Sequence, residues 1–302
     1  MQVVEGRFLL SGGAAGAGFP IAPEYLAGKW GLSAISWGGS TPVQPVPERF
    51  WVRWYSYAED KFYEGHFPLP QARLAALLRQ GFWDPQARQQ KTYDELTLCL
   101  LPRGVVVLWL TGLNQVLVGR YEGHEIAFDF KRFNAAASRP RLVAQEQARL
   151  PPAVQHEIQP HTLSTRRWDA YLATYPWQLA FSQPLQLETY SITYLNAERI
   201  RCAPTADQAA HAQTLLMPQP RPAPAHLLLV VNAGNGRRRK IRVDAFDETE
   251  TLAAFQALAA AGQPLTLRVE TDERVTQAQF VVDNGQQQQP LPHARLVVYD
   301  AD

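Results

Sequence analysis

FWVRWYSYAEDKFYEGHFPLP, residues 50–70, is the stretch whose reading decides the fold. Phe50, Val52, Trp54 and Ser56 fall on one face of an extended segment, and Trp51, Arg53, Tyr55 and Tyr57 on the other. Aromatic and β-branched residues at period two read as a strand, and a strand apolar on both faces is expected to be covered on both sides. A charged segment, AEDKFYEG, and a corner at Pro68 and Pro70 come next. LPQARLAALLRQG then sets Leu69, Leu74, Leu77 and Leu78 on one helical face and stops at Gly81.

Upstream, QVVEGRFLL (2–10) reads as a strand running into the glycine-rich SGGAAGAGFP. The glycine order is wrong for a dinucleotide loop, and Pro20 and Pro23 stand where that motif needs a helix, so a plain loop is expected. KWGLSAISWGG (29–39) reads as a short strand, followed by a proline-rich approach to residue 50.

Downstream, Leu96–Leu101, Val105–Leu110, Val116–Tyr121 and Glu125–Phe130 are β-rich runs separated by turn residues, which predicts an antiparallel meander. Val105–Leu110 is unbroken and is expected to be buried on both faces. The polar stretch 132–162 reads as a connection with a short helix near 142–150. Ser164 or Thr165 caps a helix ending before Pro176, and LQLETYSITYLNAERIRC reads as a strand pair turning near Asn196. Residues 203–225 look like a linker. A hairpin turning at Asn235-Gly236 follows, then a helix over Glu248–Ala261 capped by Asp247 and stopped by Gly262, with Leu252, Phe255 and Leu258 as its stripe. LTLRVE, AQFVV and ARLVVYD close the chain as strands, with GQQQQP as a surface loop.

The expected fold class is therefore α+β, β-rich, with antiparallel sheets, two to four helices and two packed halves. Residues 1–135 form an N-terminal β-rich half with one helix, 136–159 a connection, and 160–302 a C-terminal α+β half. Apolar residues make up 46% of the 302 and charged ones 19%, which excludes disorder. A net charge of +1 gives no electrostatic case for nucleic acid or an anionic membrane. No run approaches the roughly 18 apolar residues of a membrane span. The N-terminus lacks the basic and apolar regions of a signal peptide, so the expected compartment is the cytoplasm, or the periplasm if an export signal has been removed.

Candidate chemistry is sparse. The seven histidines show no metal-ligand spacing, the two cysteines (Cys99 and Cys202) none for zinc, and neither metal nor cofactor is expected. A bridge between those cysteines needs an oxidising compartment. No nucleophile elbow occurs. Glu59, Asp60, Glu64 and His66 form the densest acid–base cluster, which suits general acid–base work in a cleft or, more simply, a solvated turn balanced by Lys61. Arg237–Lys240 reads as a solvated edge strand guarded by charge rather than a phosphate track.

Several short motifs resemble one bacterial family of unknown function. They are Trp54-x-Ser56-x-x-Glu59-x-x-Phe62-Tyr63, Leu101-Pro102-Arg103-Gly104-Val105 with Trp109, Trp168-x-x-Tyr171 with Tyr175-Pro176-Trp177, Asn196-Ala197-Glu198, and Glu250 through Phe255 to Leu258. Members of that family are usually described as lipoproteins, and many are encoded beside type VI secretion effectors. Arg103 and Ala197 stand where the family pattern has glycine, a departure that bears on the shape of those turns; a lipidated cysteine is also missing.

The resemblance implies a non-enzymatic immunity protein that binds a co-encoded toxin and occludes it. Tyr55, Tyr57, Asp60, Tyr63 and Glu64 are the candidate toxin-binding residues, with core packing the competing role for Tyr55 and Tyr63. A small-ligand or envelope-component binding protein is the alternative, followed by a hydrolase using Glu59 and His66.

Overall fold

The deciding stretch forms two strands of one hairpin. The structure is a computed structural model that describes residues 1–13, 15–18, 30–32, 45–158, 162–234 and 236–301. Its chain divides into two compact units, one of Met1–Arg79, Asp94–Thr111 and Leu117–Arg167, the other of Gln80–Tyr93, Gly112–Val116 and Trp168–Asp302.

The first unit opens with β1 (Gln2–Leu9), β2 (Ala15–Gly18), β3 (Arg49–Ser56), β4 (Lys61–Pro68) and α1 (Gln71–Gln80). After a hairpin of the second unit, β5 (Phe82–Asp84) and β6 (Gln89–Lys91), come β7 (Glu95–Leu100), β8 (Val105–Thr111), β9 (Gln115–Glu122) and β10 (His124–Ile126). Helices α2 (Phe130–Phe133), α3 (Arg139–Ala148) and α4 (Pro152–Ile158) follow. One antiparallel sheet runs in the order β10-β4-β3-β1-β2, and β7, β8 and β9 lie side by side in another.

The second unit continues through α5 (Arg166–Leu172), β11 (Thr174–Phe181), β12 (Gln186–Tyr194), β13 (Arg199–Ile200), α6 (Gln208–Leu215) and β14 (Gln219–Pro222). It ends with β15 (Pro224–Asn232), β16 (Arg238–Ala245), α7 (Glu248–Ala259), β17 (Leu265–Thr271), β18 (Ala278–Asp283), β19 (Gln288–Pro290) and β20 (Arg295–Asp300). Its strands order as β14-β11-β17-β18-β19 and β20-β16-β15-β12-β13. Helix α7 is capped by the Asp247 carboxylate on Glu250 N, and Phe255 sets its ring edge-on to Trp177, centroids 5.9 Å apart. Arg221 is buried but not bare: its guanidinium donates to the carbonyls of Thr214, Met217 and Trp177, closing the C-terminal end of α6.

The chain is β-rich α+β, as the periodicities indicate, but seven α-helices occur among the described residues rather than two to four. The additions, α2, α4 and α6, lie where polar composition suggested connections, whereas α3 is the short helix expected near 142–150, beginning three residues earlier. Each addition carries few buried residues, so no apolar stripe announces it; α4 buries none. Three other corrections have local causes. AEDKFYEG is not one charged segment, because its second half enters β4 with Phe62 and Tyr63 buried. β10 leaves the meander and pairs with β4 instead. Part of the glycine-rich loop is strand β2, and part of GQQQQP is strand β19.

The sheets are not wholly antiparallel either, since β11 runs parallel to β17. β16 is not an edge strand: it lies between β15 and β20, with Arg239 buried against the Asp300 carboxylate and the Val275 carbonyl. The strand expected over 29–39 lies, apart from residues 30–32, outside the described residues, as does Asn235 of the hairpin turn. Val105–Thr111 is buried at every position, as expected. Both cysteines are free thiols, and burial pushes the Cys99 thiol up to about 12. No helix among the described residues is long and apolar enough to cross a membrane.

Arg103 and Ala197 hold φ of 61° and 67°, so both turns keep the left-handed backbone that a glycine supplies freely. Arg103→Gly is therefore expected to stabilise the fold by about 0.5 kcal/mol, the relief of left-handed strain less the added freedom of the unfolded chain. A denaturant midpoint unchanged or lowered by that replacement would contradict the strain.

Candidate functional site

The face of the first unit's sheet that carries Trp51, Arg53 and Tyr55 is divided in its chemistry. Register aligns Arg7 with Trp51 and Trp51 with His66, then Glu5 with Arg53 and Arg53 with Glu64, then Tyr55 with Phe62 and Phe62 with Ile126. At the aromatic end, Tyr55, Tyr57 and Phe62 are covered by Phe130 of α2 and Val143 of α3, with Phe128 and Phe133 packed against them. That end is core. At the other end Arg7 and His66 are exposed, and Trp51, Arg53, Glu5 and Glu64 are half-buried.

The open end is ordered by stacking. The Arg7 guanidinium lies 5.8 Å from the Trp51 ring, Arg53 lies 5.4 Å from Trp51 and 4.8 Å from Phe128, and Arg132 lies 5.4 Å from Phe128. His66 stacks on the far side of the same row, its ring centroid 5.8 Å from Trp51. Arg53 also donates Nε and Nη2 to the Glu64 carboxylate. This salt bridge fixes the guanidinium plane between two rings, so the row Arg7–Trp51–Arg53–Phe128–Arg132 is organised before any partner arrives.

The sequence-predicted residues separate accordingly. Tyr55, Tyr57 and Tyr63 have buried side chains, and their hydroxyls donate to Asp60, Gln2 and Glu59 respectively. Burial raises all three phenols, Tyr57 to about 12, with the neighbouring carboxylates reinforcing it. Asp60 accepts from Tyr55 and from Arg139 Nε at 2.7 Å, and Glu64 serves Arg53. Asp60 and Glu64 thus reach solvent while engaged, and the tyrosines hold up the sheet.

Glu59 sits in the β3–β4 turn and accepts from Ser56 Oγ (2.8 Å), Tyr63 Oη (3.0 Å) and Arg103 N (3.0 Å). His66 is on β4 opposite Trp51, with Nε2 3.9 Å from Glu64. The acid–base cluster of the sequence is therefore split between a turn and the open sheet face.

A groove of about 450 Å³ borders the covered end, lined by Asp60–Phe62, Glu125–Asp129 and Arg139. Its charges are already matched: Arg139 with Asp60, Lys61 with Glu125 at 2.7 Å, and Asp129 with the α2 backbone at Lys131 N. Among the described residues no three His, Cys, Asp or Glu side chains converge as a metal site requires.

Arg7, Phe128 and Arg132 were missed by sequence reasoning. Trp51 and Arg53 were placed on a common face, but the strand pairing that brings Glu64 and His66 beside them was hidden while β4 read as a charged turn.

Fold and surface together define a β-rich α+β protein that presents, among the described residues, an open arginine–aromatic row running from one sheet to α2. Residues 8–165 match the family described as Protein of unknown function (DUF2931), and the chain belongs to that family. No curated protein and no solved structure matches the chain.

Proposed function

We propose that this protein is a non-enzymatic binding protein that neutralises a co-encoded type VI secretion toxin by steric occlusion. The open half of the β1–β3–β4 face is the contact surface. The link to secretion effectors rests on the sequence motifs shared with that family. The observation carrying the contact surface is the pre-ordered row Arg7–Trp51–Arg53–Phe128–Arg132. Arginine and tryptophan are the side chains most enriched among dominant interface contacts, and a pre-fixed geometry lowers the ordering cost of association. The partner surface that fits is acidic with exposed aromatic or aliphatic groups.

The test is co-expression with the product of the adjacent gene, scoring growth rescue and co-purification. Arg7→Glu and Arg132→Glu, both at exposed positions, are expected to weaken the complex by about tenfold or more each while leaving the melting temperature unchanged. Rescue and binding that survive both reversals would place the contact elsewhere. A wild-type protein that neither rescues growth nor co-purifies with the toxin would end the immunity reading.

The groove beside α3 supports a second reading, binding of a small ligand, because its volume falls in the range of ligand sites. Its internally paired charges leave few groups to receive one, so it ranks below.

A further inference from the structure

We propose that the second unit associates with a second copy of this chain through β20, whose outer edge pairs antiparallel with its own twofold mate. The edges of this unit differ in how they are protected. β14 carries Pro220 and Pro222, and β19 is three residues long and ends in Pro290. Short strands and prolines are the usual guards against edge-to-edge pairing. β20 has neither guard. It runs six residues, RLVVYD, and among the described residues no strand pairs with its outer side. It also carries two of the exposed large apolar side chains of the chain, Val297 (48% exposed) and Tyr299 (38% exposed).

The ladder fixes which backbone groups face outward. Arg239 registers with Asp300, and Ala301 N donates to Arg238 O, so Val297, Tyr299 and Ala301 are the positions bonded to β16. The opposite side of β16 agrees: Ala233 N donates to Arg237 O, which assigns Arg239, Ile241 and Val243 to β15. Leu296, Val298 and Asp300 therefore present N–H and C=O at the free edge.

A twofold axis normal to the sheet at Val298 pairs these outward groups without remainder. Val298 meets Val298, and Leu296 meets Asp300 twice. The two non-hydrogen-bonded positions set Val297 directly against Tyr299, where side chains approach most closely. Each Tyr299 is backed on its own strand pair by Lys240, whose Nζ lies 5.8 Å from the ring centroid. Arg295 falls opposite Ala301, so no like charges are opposed. A register that leaves no outward group unpaired, sets apolar side chains against each other and opposes no like charges, on a closed twofold, is what makes a second copy the occupant rather than an unrelated strand.

Sedimentation equilibrium of the full chain over a concentration series is expected to show a reversible monomer–dimer equilibrium. Val297→Lys, a change at an exposed position, is expected to weaken it about tenfold or more by replacing both Val297–Tyr299 pairs, with the circular dichroism melt unchanged. A wild-type chain that stays monomeric throughout the series overturns the proposal. So does a dimer that Val297→Lys leaves as tight as before. Neither result touches the toxin-binding reading, whose surface lies in the other unit.

Discussion

Tyr55→Ala is expected to lower folding stability by about 4 kcal/mol, the cost of removing a large buried aromatic side chain and leaving a cavity. Tyr55 is fully buried, and its ring meets Tyr57, Phe62, Phe130 and Phe133 at centroid distances between 4.5 and 5.7 Å. Truncation strips contacts from both helices over that end of the sheet. Tyr55→Phe keeps the ring and loses the hydroxyl's bond to Asp60 and its contact with Arg139, for about 1 kcal/mol. Paired urea titrations separate the two terms. If Tyr55→Ala melted like wild type and lost toxin binding alone, the side chain would be an interface anchor rather than a core residue.

Glu59→Ala is the second large effect, at about 3 kcal/mol. One carboxylate there receives Ser56 Oγ, Tyr63 Oη and the backbone N–H of Arg103. Arg103 is in the left-handed region, so its amide is turned toward the carboxylate by a backbone that costs energy to hold. Removing the acceptor abandons three donors at once, and hydrogen bonds to a charged group contribute more than neutral ones. Differential scanning calorimetry is the check, with Glu59→Gln falling between alanine and wild type. A Glu59→Ala protein as stable as wild type would contradict the role of this carboxylate as the acceptor that holds the turn together.

Much of this architecture was legible wherever a strand or helix carried its full apolar pattern. Arg49–Ser56, Val105–Thr111, the hairpin over 224–245 and helix α7 all announce themselves, because burial there recurs at the period of the element. β4 was obscured for a physical reason: its outward positions Lys61, Glu64 and His66 are charged or polar, and only Phe62, Tyr63 and Phe67 among its long side chains are buried. Helices α2 and α4 were obscured by shortness and polarity, while α3 showed through its polar surroundings as a short helix near 142–150.

The site suffered a related loss. Tyr55 and Tyr57 read as possible anchors because composition cannot tell a tyrosine under a helix from one facing water; α2 was not foreseen, and nothing in the sequence placed α3 over them. The row through Trp51 and Arg53 needed the pairing partner across the hairpin, which is a tertiary fact.

The second unit draws residues 80–93 and 112–116 from inside the span of the first. The Gln90 side-chain amide donates to the Pro204 carbonyl across 114 positions, and the Asn114 amide to the Cys202 carbonyl across 88. During synthesis these early segments leave the ribosome long before their partners exist. The first unit can begin to fold around them, while they must be held as unfinished ends until residues 202–204 arrive. Such distant pairings close slowly, because loop entropy is lost before the contacts form. Maturation of the whole chain is therefore set by when its C-terminal half is released, and nascent chains stalled near residue 160 would carry these two segments as idle loops.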